Sequence, residues 1–210
     1  MPARSASRRV RQRFHGSIAG IGSTSGIRVV VGRWDRSPWG AFADLMVETP
    51  DGHRVLIAPS EQVAEFVHAT YTFDEIRQEP VTVTDTPDGW SVAAASAQVE
   101  LSIGDRTPLG RLLRLVPGAV GTSPAWCAVT DPFARVVLRG VRTRGSAKGG
   151  RREYYGATEV RSVTAARGSF DGVDLGRLAE VRPPCTFGFS SVPSSPSVTR
   201  LVTTVDLFAG

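Results

Sequence analysis

Phe42-Ala-Asp-Leu-Met-Val-Glu-Thr-Pro-Asp-Gly-His-Arg-Val-Leu-Ile-Ala58 decides the class of fold. Ala43, Leu45 and Val47 alternate with Asp44, Met46 and Glu48, the period of two that a strand uses and a helix cannot. Thr49-Pro-Asp-Gly52 then stops the run. Proline presets the backbone of the second turn position, aspartate bonds the local backbone, and glycine accepts the left-handed conformation that closes the turn. The stretch therefore predicts an antiparallel hairpin, with 42–48 paired to 53–58. The same tetrapeptide returns at Thr86–Gly89, predicting a second hairpin of 80–85 with 90–95.

Working outward, Ile27, Val29 and Val31, then Val81 and Val83, then Val99, Leu101 and Ile103 repeat the alternation. Ala134–Val141 and Glu153–Ala165 read as strands flanking a glycine-rich loop at 145–150, and Val198–Leu207 as a strand after an ordered loop over 183–197. Gly20-Ile-Gly-Ser-Thr-Ser-Gly26 resembles a dinucleotide finger only on paper. Such a loop must lead into a helix whose N-terminus meets the pyrophosphate, whereas Ile27–Val31 continues as strand. It also fails as a nucleophile elbow, since Thr24 sits at its centre. A hairpin loop is the expectation.

Helices are few. Ser60 caps a segment in which Val63, Phe66 and Val67 share one face, ending near Ala69. Thr107-Pro108 starts another, with Leu109, Leu112, Leu113 and Val116 along one stripe, Arg111 and Arg114 facing away, and Pro117-Gly118 as the stop. Too short to be stable alone, it is expected to cover a sheet face or plug a barrel end. The fold class is mainly β, a β-rich α+β single domain over 13–210. Its expected form is an antiparallel barrel or sandwich with two or three short helices, after a basic, disordered arm at 1–12.

Composition narrows the rest. The chain has 210 residues, 41% hydrophobic and 21% charged, a balance that suits one packed domain and excludes global disorder. Cys127 and Cys185 form no CxxC pair and read as two buried free thiols of a reducing, cytoplasmic protein. His15, His53 and His68 show no metal-ligand spacing, so neither metal nor cofactor is expected. No run reaches the ~18 apolar residues of a membrane helix. Ser7-Arg8-Arg9 lacks the apolar region of a twin-arginine export signal. Nearly all the basic side chains are arginine, Lys148 is the one lysine and asparagine is absent, as a GC-rich genome would produce.

Charge is the sharper signal. Of 25 basic side chains, Arg4, Arg8, Arg9, Arg11 and Arg13 lie in the acid-free N-terminus, and the other 20 balance the 20 acids. Within that neutral body, Arg135–Arg167 holds nine bases against Glu153 and Glu159, a local excess of +7 that the remainder offsets with −7. If 135–144 pairs with 151–164, Arg142, Arg144, Arg151 and Arg152 converge at the tip beside Tyr154 and Tyr155. Such a cluster can bind carboxylate or phosphate through charge-assisted bonds; the alternative is a solvated hairpin whose charges pair with the acidic remainder or with Glu153. Only one of the two tyrosines can face a cavity, because neighbours on a strand point oppositely. Arg142, Arg144, Arg151, Arg152 and Tyr154 are the candidate ligand-binding residues. Asp44, His53, Glu153 and Tyr154 are candidate acid–base groups that spacing does not rank. Trp34, Trp39, Trp90 and Trp126 read as core or rim packing.

Two blocks, Arg142–Gly156 (RTRGSAKGGRREYYG) and Pro183–Val198 (PPCTFGFSSVPSSPSV), resemble a protein family of high-GC actinobacteria to which no activity is attached, over about Phe14 to Val205. In size, strand content and a cationic segment with one lysine, the chain is also similar to acetoacetate-decarboxylase-like barrels. It lacks their adjacent lysine pair, and no residue is carried over from them. Imine chemistry would fall to Lys148, in what reads as a wet loop. The leading expectation is a cytoplasmic β-barrel-like protein that binds a small anionic organic molecule through the Arg-rich hairpin. An enzyme of unknown reaction on the same scaffold is the second reading. Nucleic-acid binding through the arm and hairpin is the third, and the neutral body argues against it. Opposite charges on two regions also allow a homo-oligomer.

Overall fold

The alternation read in the sequence produces a sheet with two working faces. The computed structural model describes residues 9–137, 141–146 and 151–208. Its strands are β1 (Arg9–Ser23), β2 (Arg28–Arg36), β3 (Phe42–Glu48), β4 (Arg54–Ala58), β5 (Glu75–Gln78), β6 (Thr82–Thr86), β7 (Gly89–Ala93), β8 (Ala97–Arg106), β9 (Arg144–Ser146), β10 (Arg152–Phe170), β11 (Val173–Asp174), β12 (Leu178–Ala179) and β13 (Ser197–Phe208). Four helices accompany them: α1 (Glu61–His68), α2 (Pro108–Leu113), α3 (Gly118–Gly121) and α4 (Pro124–Val137). None is long and apolar enough to cross a membrane among the described residues.

The main path of the sheet runs β5-β4-β3-β2-β1-β13-β10-β8-β7-β6. Its ladders are antiparallel except the β4–β5 pair, which is parallel and is joined through α1. A parallel neighbour needs such a crossover. The sheet curls until β3 touches β6 and Arg33 of β2 pairs with Asp85 of β6 at 2.6 Å. The result is a half-barrel made of one sheet, so the sandwich alternative falls away.

Inside the curl, Val29, Val31, Leu45, Val47, Val55 and Ile57 from one arm meet Trp90, Val92, Val99, Leu101 and Phe170 from the other. The intervening residues point outward. Val30, Leu56 and Ala58 pack with Val63, Ala64 and Val67 of α1 and with Phe187 in a second core. Burial of apolar side chains on both faces explains the unbroken apolar runs Val29–Val31 of β2 and Val55–Ala58 of β4.

The two Thr-Pro-Asp-Gly turns differ. At the first, Gly52 has φ +89° and an added Cβ there would meet nothing within 4 Å. At the second, Gly89 is already in β7 opposite Thr86. Its positive-φ role, expected from the sequence, is not used. An added Cβ would instead lie 2.0 Å from the Leu101 carbonyl oxygen of β8. Identical turn sequences thus need their glycines for different reasons. Gly52→Ala is expected to cost about 1 kcal/mol of stability and Gly89→Ala about 3 kcal/mol, because backbone must move. Urea denaturation that ranks the two substitutions the other way would refute this.

Four expectations need correction. Arg9–Gln12 belong to β1, paired with β13 from Arg9 opposite Phe208 onward, so only residues 1–8 of the expected arm fall outside the described residues. Ala134–Val137 end α4 and do not begin a strand. The Ser123 hydroxyl accepts from Trp126 N at 3.2 Å and Pro124 opens the helix, a start that outweighs the β-branched run. The hairpin is consequently short, only β9 against the first residues of β10. Its tip, with Lys148, lies outside the described residues. The segment after Thr107 also differs: α2 stops at Leu113, and α3 and α4 follow.

Candidate functional site

Between the outer sheet face and the helices α2–α4 lies a cavity of about 440 Å³, within the range of small-molecule sites. Its floor includes Ile18 of β1, Val30 of β2, Met46 of β3, Tyr155 of β10 and Leu201 of β13. Leu109, Leu112, Leu113 and Val116, the stripe predicted from spacing, form part of the roof, with Trp126 of α4 beside them. The helix start thus covers a sheet face as expected, with a hollow left between. Gly110 allows the approach, since a Cβ there would lie 2.1 Å from the Val160 carbonyl oxygen.

Arg142 is the only charged side chain in the lining of this cavity among the described residues. Its neighbours hold it in place. Asp131, buried on α4, accepts from Thr143 N at 3.0 Å and Arg144 N at 3.3 Å. The Thr143 hydroxyl donates to the Cys127 carbonyl at 2.6 Å, and Arg142 N donates to the Ser190 hydroxyl at 2.9 Å. Arg142 Nε is buried without a hydrogen-bond partner. Arg142, whose guanidinium has only donors to offer, thus belongs to the wall of an otherwise apolar hollow.

The other candidate residues are elsewhere. Arg144 and Arg152 are exposed. Arg151 lies 5.1 Å from the Phe66 ring and donates to the Phe66 carbonyl and the Thr70 hydroxyl, each at 3.1 Å, so it fastens the end of α1. Tyr154 faces away from the cavity, beside Arg9, and Tyr155 takes the place expected of it. Arg9 and Arg11, counted with the basic arm, pair with the buried Asp206. His53 is exposed at a turn, 3.1 Å from Glu75. Of the tryptophans, Trp126 lines the cavity, Trp34 serves Asp44, and Trp90 is core.

At the cavity floor the polar groups gather. Tyr71 Oη lies 3.0 Å from Glu153 Oε2, Tyr155 Oη lies 2.7 Å from the same oxygen, and the two phenol oxygens are 2.5 Å apart. Behind them a small hollow of about 60 Å³ is lined by Glu153, Asp44 and Thr203, and Trp34 Nε1 donates to Asp44 Oδ1 at 2.9 Å. Burial pushes the Asp44 carboxyl up to about 7 and raises Glu153 as well. Burial holds both phenols well above their ordinary range. Neutral acids in a dry hollow donate hydrogen bonds and exchange protons, as an anchor for a polar ligand or an acid–base centre requires.

Two members of this cluster, Asp44 and Glu153, were among the acid–base candidates. Tyr71 was missed, because it reaches the site from the loop after α1, 82 residues from Glu153. Glu153 and Tyr155 are two apart on one strand, a spacing that puts them on one face and was the available signal. Among the described residues no group of three His, Cys, Asp or Glu side chains is placed to hold a metal ion.

No protein-family model matches the chain, and no curated protein matches it. Among solved structures it is similar to the crystal structure of acetoacetate decarboxylase from Legionella pneumophila subsp. pneumophila str. Philadelphia 1. The TM-score is 0.45 at 10% sequence identity, over 100% of this chain and 91% of that one. A likeness so distant does not bring that enzyme's activity with it.

Proposed function

We propose that this chain binds a small, mostly apolar organic acid in the cavity beneath α2–α4, with Arg142 as the anchor for its anionic group. The observation that carries the proposal is the lone guanidinium in an otherwise uncharged lining, its Nε buried and unpartnered. A carboxylate supplies the acceptor that Nε lacks and can pair with a guanidinium in bidentate form, and the surrounding apolar walls reward the rest of the molecule for leaving water. The Arg-rich hairpin of the sequence reading is thereby reduced to one arginine. Arg144 and Arg152, exposed outside the hollow, add only a long-range field.

A cytoplasmic setting belongs to the same proposal. Cys127 and Cys185 are both free and buried, and burial pushes their thiols up to about 11 and about 12. Such thiols are inert packing groups that suit a reducing compartment.

Trp126 gives a direct readout, since it lines the cavity. In a fluorescence titration with 4-butylbenzoate, Arg142→Met is expected to raise Kd by about 10- to 100-fold, the loss of a charge-assisted pair. Arg144→Ala and Arg152→Ala should leave Kd within about twofold. Equal affinity of wild type and Arg142→Met, or a larger loss from the two surface substitutions, would sink the proposal.

A further inference from the structure

The three oxygens at the cavity floor set a proton-counting problem. Tyr71 Oη, Tyr155 Oη and Glu153 Oε2 are separated by 2.5, 2.7 and 3.0 Å, so each of three edges is within hydrogen-bond distance. Two phenols bring two hydrogens. The third edge is filled only when Glu153 carries its own proton. With a carboxylate there, one pair of lone-pair-bearing oxygens would face each other bare. Glu153 is 1% exposed, and burial favours its neutral form. Arg151, the one cation among the described residues whose field reaches it, directs Nη1 to the Phe66 carbonyl and the Thr70 hydroxyl instead. The cluster is therefore a closed ring of three hydrogen bonds with three protons.

A ring of this kind discriminates between ligand oxygens. Tyr71 and Tyr155 line both the main cavity and the smaller hollow, while Glu153 lines only the smaller one. The edge open to a ligand is the one between the phenols. A ligand hydroxyl can insert there, accepting from one phenol and donating to the other. Three bonds then become four, because the newcomer brings its own proton. An ether or carbonyl oxygen brings none. It can open the ring only by converting it to a chain, with three bonds before and three after, and it forfeits its own hydration.

We infer that the Tyr71–Tyr155 edge is a subsite for a hydroxyl group, which makes the cavity's ligand a hydroxylated apolar acid with its hydroxyl on the phenols and its anion on Arg142. This rests on the cavity reading above and adds a second, independent contact. Glu153 acts through the two tyrosines as a positioning residue.

The test uses three probes of similar size, 4-butylphenol, 4-butylanisole and 4-butylbenzoate, titrated into the full chain by calorimetry. Wild type is expected to bind the phenol about 10-fold more tightly than the anisole, one hydrogen bond's worth. Tyr155→Phe and Tyr71→Phe should each bring that ratio within about twofold, while 4-butylbenzoate binding stays dependent on Arg142. Equal affinity for phenol and anisole in wild type overturns the hydroxyl subsite, and so does a preference that both tyrosine substitutions leave intact. With benzoate still held by Arg142, the cavity reading survives that result. If no probe binds at all, both readings fail together. Should either substitution prevent folding, the other one and the wild-type comparison still decide.

Discussion

Alanine in place of Glu48 is expected to lower the unfolding free energy by about 3–5 kcal/mol and the midpoint of thermal unfolding by about 10 °C for a chain of this size. Glu48 and Arg28 are cross-strand partners on β3 and β2, with side chains 3% and 4% exposed and a closest approach of 3.2 Å. Both also hold the irregular segment that follows β12. Arg28 donates to the Pro183 and Thr49 carbonyls at 3.1 Å. Glu48 accepts from Thr186 N at 2.8 Å and from its hydroxyl at 3.0 Å. Removing the carboxylate leaves a buried guanidinium without its counter-charge, which costs far more than an exposed pair would. It also frees Thr186 between Cys185 and Phe187, both in the cavity wall, so ligand affinity should fall with stability. Glu48→Gln keeps an acceptor for Thr186 and should recover part of the loss. A Glu48→Ala protein within about 1 kcal/mol of wild type in urea would show that the pair does not matter.

Stability should also decline as pH rises from about 4 to about 7, the reverse of what exposed ion-paired carboxylates produce. The folded protein holds the Asp44 proton up to about 7, against 3.8 for the free group. Between those values the native state binds more protons than the unfolded chain. The stability supplied by the neutral carboxyl is therefore complete below the unfolded value and lost on the way up. The loss is on the order of 4 kcal/mol by pH 8, and Glu153, raised by the same burial, acts in the same direction. Asp74 and Glu75 have the opposite sign through hydrogen bonds to Arg54 and Arg77, but they titrate below this window. His15, lowered by burial, also opposes the trend. The decisive comparison is thus with Asp44→Asn, which still accepts from Trp34 and carries no titration. Relative to wild type its stability should climb with pH by on the order of 4 kcal/mol between pH 4 and pH 8. Parallel profiles for the two proteins would exclude the buried-acid account.

How far the sequence can be read depends on which interaction sets each element. The hairpins were legible because period-two patterning and turn chemistry are local, as at Leu45 and Val47 beside Thr49–Gly52. The lining of the cavity roof was legible too, since Leu109, Leu112, Leu113 and Val116 share a face by spacing alone. The stretch from Ala134 was not. Its β-branched residues favour strand, whereas Ser123, Pro124 and the buried positions Cys127, Asp131 and Ala134 commit the chain to a helix that tertiary packing completes. Local charge density likewise pointed to four arginines, and only the pinning of Arg142–Thr143 by Asp131 and Ser190 selects one of them. Tyr71 meets Glu153 through tertiary folding, a pairing that no pattern along the chain encodes.

Because adjacent residues of β2, β3 and β4 serve opposite compartments, the length of these strands is locked while their composition is free. A single codon gained or lost within β3 would exchange Asp44 and Met46 for Leu45 and Val47. Carboxylate and thioether would enter the closed interior, and two aliphatic groups would take their places on the outer face, where Met46 lines the larger cavity and both Asp44 and Met46 line the smaller hollow. The outer face of these strands can therefore change only by point replacement at alternate positions. Insertions fit better in connections such as Thr24–Gly26 and Pro50–His53, which belong to neither core.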